Sequence, residues 1–232
     1  MIHPKDILPN PEGMASRLNK WGLTRWDGED FSARDWLYAY GLLVKYLKYN
    51  GKPFTIKTED YLLRSGGVMN DDGTFSLAIV NRHQEQTEIE VVLDNFKADK
   101  KVRMYLYDSA NVPRSKFAEL QEPSALLCAC DGTIKITVPG NSIVMLTTDY
   151  TDAKPAPVTG VKVEDGKITW NKAEDSSHVY YRVFKGETAD FTISKENQIA
   201  STIAEYCSDC DCVSGSFYKV VSVNRSGNMS EA

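Results

Sequence analysis

The sequence predicts a mainly β protein: an antiparallel β-sandwich with one N-terminal amphipathic helix, followed by a second, smaller β-sandwich. The first observation behind this prediction is that apolar residues alternate with polar ones in short runs after Gly51, which is the period of a half-buried strand. The second is that Asp72-Gly73 and Asp131-Gly132 lie between such runs, where a tight turn needs positive φ angles. Short strands separated by turns of this kind are typical of a sandwich.

The predicted helix runs from Ser32 to Lys48. Its apolar residues recur at three- and four-residue steps and form one stripe, which consists of Ala33, Trp36, Leu37, Tyr40, Leu43, Val44 and Leu47. We expect Ser32 to cap the first turn together with Asp35, and Asn50-Gly51 to supply a left-handed stop. Because no second helix follows, the stripe must be covered by a sheet of this chain or by a larger unit outside it. We favour the larger unit.

Alternation defines the strands of the first sandwich. Residues 53–65 are expected to form one or two strands that Gly66-Gly67 breaks, and the last strand ends near residue 150. Four further alternating runs are Phe75-Leu77-Ile79, Ile89-Val91-Leu93, Val102-Met104-Leu106 and Ile134-Ile136-Val138.

A short proline-containing segment, 151–156, is predicted to be an interdomain linker, since prolines and small polar residues are typical of linkers. Alternation then starts afresh, with a turn at Asp165-Gly166. The predicted organisation is therefore an N-terminal loop and helix over 1–51, a β-sandwich over 52–150, the linker over 151–156 and a second sandwich over 157–232.

Composition excludes two classes of partner. The formal net charge is −5 and the basic residues are scattered, whereas nucleic-acid binding needs a clustered excess of Lys and Arg. No apolar window approaches the length of a membrane span. The first residues contain no signal-peptide core, so the sequence as given predicts no export signal.

No catalytic residue is predicted. A retaining glycosidase needs two carboxyl groups about 5 Å apart, and none of the loop acids lies in a pattern that would place such a pair. Those acids are Asp27, Glu29, Asp30, Glu59 and Asp60. The histidines, His3, His83 and His178, fall in different predicted units, and no serine lies in a nucleophile-elbow context. No cofactor is predicted.

Trp21 and Trp26 lie in the predicted loop that leads into the helix. Aromatic faces at such a place can stack on sugar rings, so these two residues are the candidates for carbohydrate contact. The alternative is that they cover the helix, and we prefer it because large aromatic side chains mostly provide packing area.

The segment after Pro157 resembles a fibronectin type III domain. The resemblance rests on PAPVTGVKVEDGKITW with Trp170, on YYRVFKG, and on YKVVSVNRSGNMS, where Tyr218 matches the buried tyrosine of the family's sixth strand. It covers residues 157–232. The sequence ends at Ala232, where the family continues into a seventh strand, so the last strand is expected to be missing.

Residues 25–150 resemble the C-terminal part of retaining glycoside hydrolases with a (β/α)8 catalytic barrel, of the β-xylosidase, arabinofuranosidase and agarase kind. The resemblance rests on ARDWLYAYGLLVKYLK, DGTFSLAIVNR, VRMYLYDSANVPRSKFAEL and VPGNSIVMLTTDY. It implies that the last barrel helix runs into a β-sandwich, and that the region is secreted or periplasmic. The acid and nucleophile of the family stand on barrel strands that no part of this sequence matches.

The cysteines allow two interpretations. Cys207, Cys210 and Cys212 could begin a zinc site, but no nearby Cys or His supplies a fourth ligand, so no metal site is predicted. In the fibronectin resemblance these residues lie in a loop between the fifth and sixth strands, where a disulfide between Cys207 and Cys212 fits. Cys128 and Cys130 are expected to be buried small hydrophobes of one strand.

These patterns predict a non-catalytic accessory region of a carbohydrate-active enzyme. The chain would hold a glycosidase barrel through the helix from Ser32 to Lys48, or associate with itself through that helix, with polysaccharide as a further possible partner. The alternatives are a stand-alone carbohydrate-binding module, and a glycosidase part whose barrel lies upstream or on another chain. We expect part of the helix to lie on the first sandwich through Leu37 or Leu43.

Overall fold

The computed structural model describes residue 23 and residues 32–94, 101–129, 131–208 and 215–232. The chain forms two compact units, Met1–Asp149 (unit 1) and Tyr150–Ala232 (unit 2). The described part is mainly β with one helix, which confirms the predicted fold class. The elements of unit 1 are α1 (Asp35–Tyr46), β1 (Lys52–Pro53), β2 (Leu63–Met69), β3 (Phe75–Asn81), β4 (Thr87–Val92), β5 (Val102–Asp108), β6 (Ala125–Leu127), β7 (Thr133–Val138) and β8 (Ser142–Thr147).

Unit 1 is built on a six-stranded antiparallel sheet with the strand order β1-β2-β3-β8-β5-β6. One face of this sheet packs against a two-stranded ribbon of β4 and β7. The alternating residues that the sequence singled out form the core between the two layers; they include Phe75, Leu77, Ile79, Ile89, Val102, Ile134, Ile136 and Val138. The predicted strands are confirmed because their apolar residues all point into one shared core.

Helix α1 lies on the other face of the six-stranded sheet, over β5 and β8. It is shorter than predicted, and neither predicted cap is present. The N-cap is Arg34, without a side-chain cap hydrogen bond, and neither Asn50 nor Gly51 has a positive φ. Asp35 does not complete a capping box because its carboxylate binds Arg114.

Two further expectations for unit 1 are wrong. Residues 54–62 form no strand, so β2 begins only at Leu63. Gly66 and Gly67 do not break the strand but lie inside β2, where they pair with Ala78 and Leu77 of β3. A Cβ atom at position 67 would overlap the Phe54 ring. Gly67 is therefore explained by the close approach of an aromatic ring.

Unit 2 contains two three-stranded antiparallel sheets, β13-β10-β9 and β12-β11-β14. The turn at Asp165-Gly166 is confirmed, since both residues have positive φ, +50° and +74°. Trp170 is buried, whereas Tyr218 is only partly buried against the same core. The elements are β9 (Lys162–Glu164), β10 (Lys167–Thr169), β11 (His178–Gly186), β12 (Gln198–Thr202), β13 (Tyr206–Cys207) and β14 (Phe217–Asn224).

The predicted linker segment does not lie apart from unit 2. The whole of 151–156 belongs to unit 2, and its backbone is hydrogen-bonded to side chains of that unit. The bounds of unit 2 therefore begin at Tyr150, earlier than the sequence predicted.

Candidate interaction surface on the helix

The face of α1 that contacts the sheet is formed by Tyr38, Leu42 and Tyr46, at four-residue steps. All three side chains are 1% exposed or less. Leu42 and Tyr46 pack with Tyr105 of β5 and Met145 of β8, and the Tyr46 and Tyr105 ring centroids are 5.0 Å apart. This buried set is not the stripe that the sequence predicted, and it lies about half a turn around the helix from that stripe.

The opposite side of the helix carries the predicted stripe, and it is largely exposed. We define the outer face as Trp36, Tyr40 and Val44, which are 39%, 51% and 59% exposed. Leu43 and Leu47 lie at its margin and are partly buried against the helix–sheet core. The prediction that Leu43 contacts the first sandwich is thus confirmed, while Trp36, Tyr40 and Val44 stay exposed among the residues that the structure describes.

The loop from 109 to 120 holds α1 from a third side. The Arg114 guanidinium donates from Nε and Nη2 to the two Asp35 carboxylate oxygens, both at 2.8 Å. The Tyr38 hydroxyl donates to the Ser115 carbonyl and accepts from the Ser115 amide. Leu120 lies so close to Gly41 that a Cβ atom there would clash. Sheet and loop together fix the helix, so the outer face is presented on a rigid support.

The charged residues of α1 lie away from the outer face. Asp35 is paired with Arg114, and the Lys45 ammonium group lies 5.1 Å from the centre of the Tyr46 ring. The Trp36 and Tyr40 rings meet edge to face, with centroids 5.9 Å apart and planes at 63°. The outer face is therefore an uncharged apolar surface, and its two rings do not form one flat platform.

The predicted carbohydrate-contact residues, Trp21 and Trp26, lie outside the described residues, so their role stays a prediction. Cys207 is buried and disulfide-bonded, but Cys212 lies outside the described residues and the proposed pairing is untested. The expectation for Cys128 is wrong. It follows β6, is exposed, and is disulfide-bonded. The alternation along β6 places it on the same side as Leu126, which is also exposed.

Two titratable residues that sequence reasoning kept apart meet in unit 1. His83 Nε2 and Asp60 Oδ2 are 2.6 Å apart, and the other Asp60 oxygen accepts the Leu62 amide at 2.8 Å. The hydrogen bond from His83, followed by that from Leu62, lowers the pKa of Asp60. The hairpin of β2 and β3 pairs Leu63 with Asn81, and this register brings Asp60 and His83, which flank the two strands, close together. The contact between Asp60 and His83 could therefore have been predicted from the hairpin register.

The Asp60 contact predicts a specific pH dependence. Because its pKa is lower in the folded state, Asp60 stabilises unit 1 above about pH 4, and this contribution is lost as the pH falls through the folded pKa. We expect the free energy of unfolding of Asp60→Asn to differ from wild type at pH 5, and by progressively less as the pH falls below 4. Glu59→Gln, a change in the exposed neighbouring carboxyl, is the control. A difference that does not shrink in acid would contradict the pairing.

Other site classes find no support among the residues that the structure describes. No three His, Cys, Asp or Glu side chains there come together as a metal site requires. Across the same residues, no helix has the length and apolar content needed to cross a membrane.

The chain matches no protein-family model, and no curated protein matches it at a significant level. Solved structures that resemble it are glycoside hydrolases. A GH30 endoxylanase from Clostridium papyrosolvens is 16% identical over 50% of this chain and 28% of its own, with a TM-score of 0.42. The catalytic domain of GH30 xylanase C from Talaromyces cellulolyticus is 21% identical over 54% of this chain and 27% of its own, also with a TM-score of 0.42.

A bacterial orthologue of human α-L-iduronidase matches more of this chain, 73%, at 18% identity and a TM-score of 0.32, and 37% of its own length is covered. The chain thus spans well under half the length of these three enzymes. Likeness at this level defines neither a family nor an activity for the chain.

Proposed function

We propose that this chain is a non-catalytic accessory region of a carbohydrate-active enzyme, and that the outer face of α1 docks against a catalytic barrel. The observation that carries the proposal is that α1 is apolar on two opposite sides. One side packs against the sheet of unit 1. The other side, formed by Trp36, Tyr40 and Val44, is exposed. Exposed apolar surface on a helix that is already packed on its opposite side supports a second partner for this helix.

The size of the outer face indicates how that partner is supplied. Three partly exposed side chains offer far less than the roughly 800 Å² that each side of a stable protein–protein interface buries. A tethered partner needs less contact area, because linkage raises its effective concentration to the millimolar range. A barrel on the same polypeptide therefore fits better than a second copy of the chain or a barrel on a separate chain.

The proposal that the enzyme acts on carbohydrate rests on the resemblance of residues 25–150 to glycosidase C-terminal regions. Secretion, with a role in polysaccharide degradation, is proposed on the same ground. It is supported by the disulfide bonds of Cys128 and Cys207, since disulfides persist mainly in oxidising compartments. A fibronectin type III-like role of unit 2 as a spacer is part of the same proposal.

The alternative function, a stand-alone carbohydrate-binding module, needs exposed rings that a sugar can lie flat against. Trp36 and Tyr40 are exposed, but their planes are inclined at 63°, which disfavours a flat sugar platform. Trp21 and Trp26 stay the candidates for that function.

One experiment separates the three functions. We expect the purified chain to hydrolyse no aryl glycoside, and to be retained on insoluble xylan or cellulose no more than a Trp36→Ala variant. Turnover that disappears when one carboxyl residue is substituted would make the chain an enzyme. Retention that disappears in a Trp21→Ala or Trp26→Ala variant, with Tyr61→Ala as the exposed aromatic control, would make it a binding module.

A further inference from the structure

The segment 151–156, which the sequence predicts to be a linker, is hydrogen-bonded through its backbone to side chains of unit 2. The Asn228 side-chain amide donates to the carbonyls of Thr151 at 2.7 Å and Ala153 at 2.9 Å. The Asn224 side-chain amide donates to the same Ala153 carbonyl at 2.8 Å. Ser222 Oγ donates to the Ala156 carbonyl at 2.6 Å. Three side chains thus hold three backbone carbonyls.

Backbone amides of the segment are held as well. The Thr151 amide donates to Ser226 Oγ at 2.9 Å, and the Ala156 amide donates to Asp175 at 3.1 Å. Pro155 between them is buried. A flexible linker would leave its backbone to water, whereas in this segment the amides and carbonyls of Thr151, Ala153 and Ala156 are bound by protein.

The residues that hold the segment are themselves fixed. Ser222 and Asn224 belong to β14 and are 0% and 3% exposed. The Asn224 side-chain oxygen accepts the amides of Ser226 and Asn228, which orients the Asn228 side chain toward the segment. Ser222 and Asn224 occupy the same side of β14 as Val220, which packs in the core. Polar residues at core positions are explained if a backbone must be bound there.

We propose that residues 151–156 form a strap that Asn224 and Asn228 latch onto unit 2, and that opening of this strap is a separate conformational step that precedes unfolding of the sandwich. The strap is bonded to single side chains of β14, of the turn after β14 and of Asp175, whereas β14 is bonded along its full length to β11. Segments held by few local contacts open at lower free energy than paired strands. The strap is therefore a part of unit 2 that can open by itself. Through it, the residues that precede unit 2 in the sequence can affect the stability of unit 2.

Hydrogen exchange of the full chain, read by mass spectrometry, tests the strap. In wild type, the hydrogen-bonded amides of Thr151, Ala153 and Ala156 should be protected. Asn228→Ala removes two hydrogen bonds that the Asn228 side chain donates to the strap. It should speed hydrogen exchange of the strap amides about tenfold or more, with no change in the exchange rates of Phe217–Asn224. Asn197→Ala is the matched control, because the Asn197 side-chain amide also donates to a loop carbonyl, that of Thr192, away from the strap.

Should Asn228→Ala unfold unit 2 as a whole, Ser226→Ala is the second test, since it removes the acceptor of the Thr151 amide. Faster exchange confined to the strap in that variant supports the proposal. The proposal is overturned if the wild-type strap exchanges at the rate of an unstructured peptide, or if the variant that stays folded exchanges like wild type throughout 151–156.

Discussion

Replacing Leu42 with alanine should lower the free energy of unfolding of unit 1 by about 3 kcal/mol, whereas Val44→Ala, two residues further along the same helix, should change it by less than about 0.5 kcal/mol. Leu42 is fully buried between α1 and the sheet, and Val44 is 59% exposed on the outer face. The two substitutions each truncate an aliphatic side chain, so they differ mainly in which side of the helix they alter.

Urea unfolding followed by circular dichroism measures this difference, with the transition of unit 2 as the internal reference. Similar losses for both variants would show that Val44 is also packed within the chain. A loss at Val44 alone would mean that Val44, and not Leu42, faces the sheet.

Tyr181→Ala should be the most damaging single substitution in unit 2, with a loss of about 4 kcal/mol. The Tyr181 ring is completely buried and meets Trp170 edge to face at a centroid distance of 5.4 Å. Its hydroxyl accepts the Ala173 amide at 3.1 Å. Truncation would open a cavity and leave that amide without its acceptor.

Tyr181→Phe separates these two effects, since it keeps the ring and removes only the hydroxyl. We expect it to cost about 1 kcal/mol. Thermal or urea unfolding of unit 2 is the measurement. A phenylalanine variant as unstable as the alanine variant would assign the stability to the hydrogen bond rather than to ring packing.

Periodicity identified the helix but not its buried side. Trp36, Tyr40 and Val44 follow the same four-residue step as Tyr38, Leu42 and Tyr46, so both sides satisfy the helical pattern. The choice between them depends on Tyr105 and Met145, which come from distant strands. Strand alternation was more informative, because residues two apart along a strand face the same side of the sheet.

The remaining differences come from contacts between residues far apart in sequence. Asp60 and His83 meet because a hairpin register places them together, and the segment 151–156 is fixed by Asn228, more than seventy residues later. Proline content alone indicates a linker, but it cannot show that a later strand supplies donors for the linker's carbonyls. Cys128 shows the same limit, since the alternation of Cys128 and Cys130 did not reveal where β6 ends.

Hydroxyl-radical footprinting of the natural gene product, compared with the isolated 232-residue chain, tests the proposed docking most directly. Radicals oxidise exposed aromatic side chains, so Trp36 and Tyr40 should react readily in the isolated chain. In the natural protein they should react about tenfold less, while Tyr49 and Tyr61, which are exposed elsewhere on unit 1, should react equally in both. Equal oxidation of Trp36 and Tyr40 in the two samples would contradict the account, because it would show that no catalytic domain covers the outer face of α1.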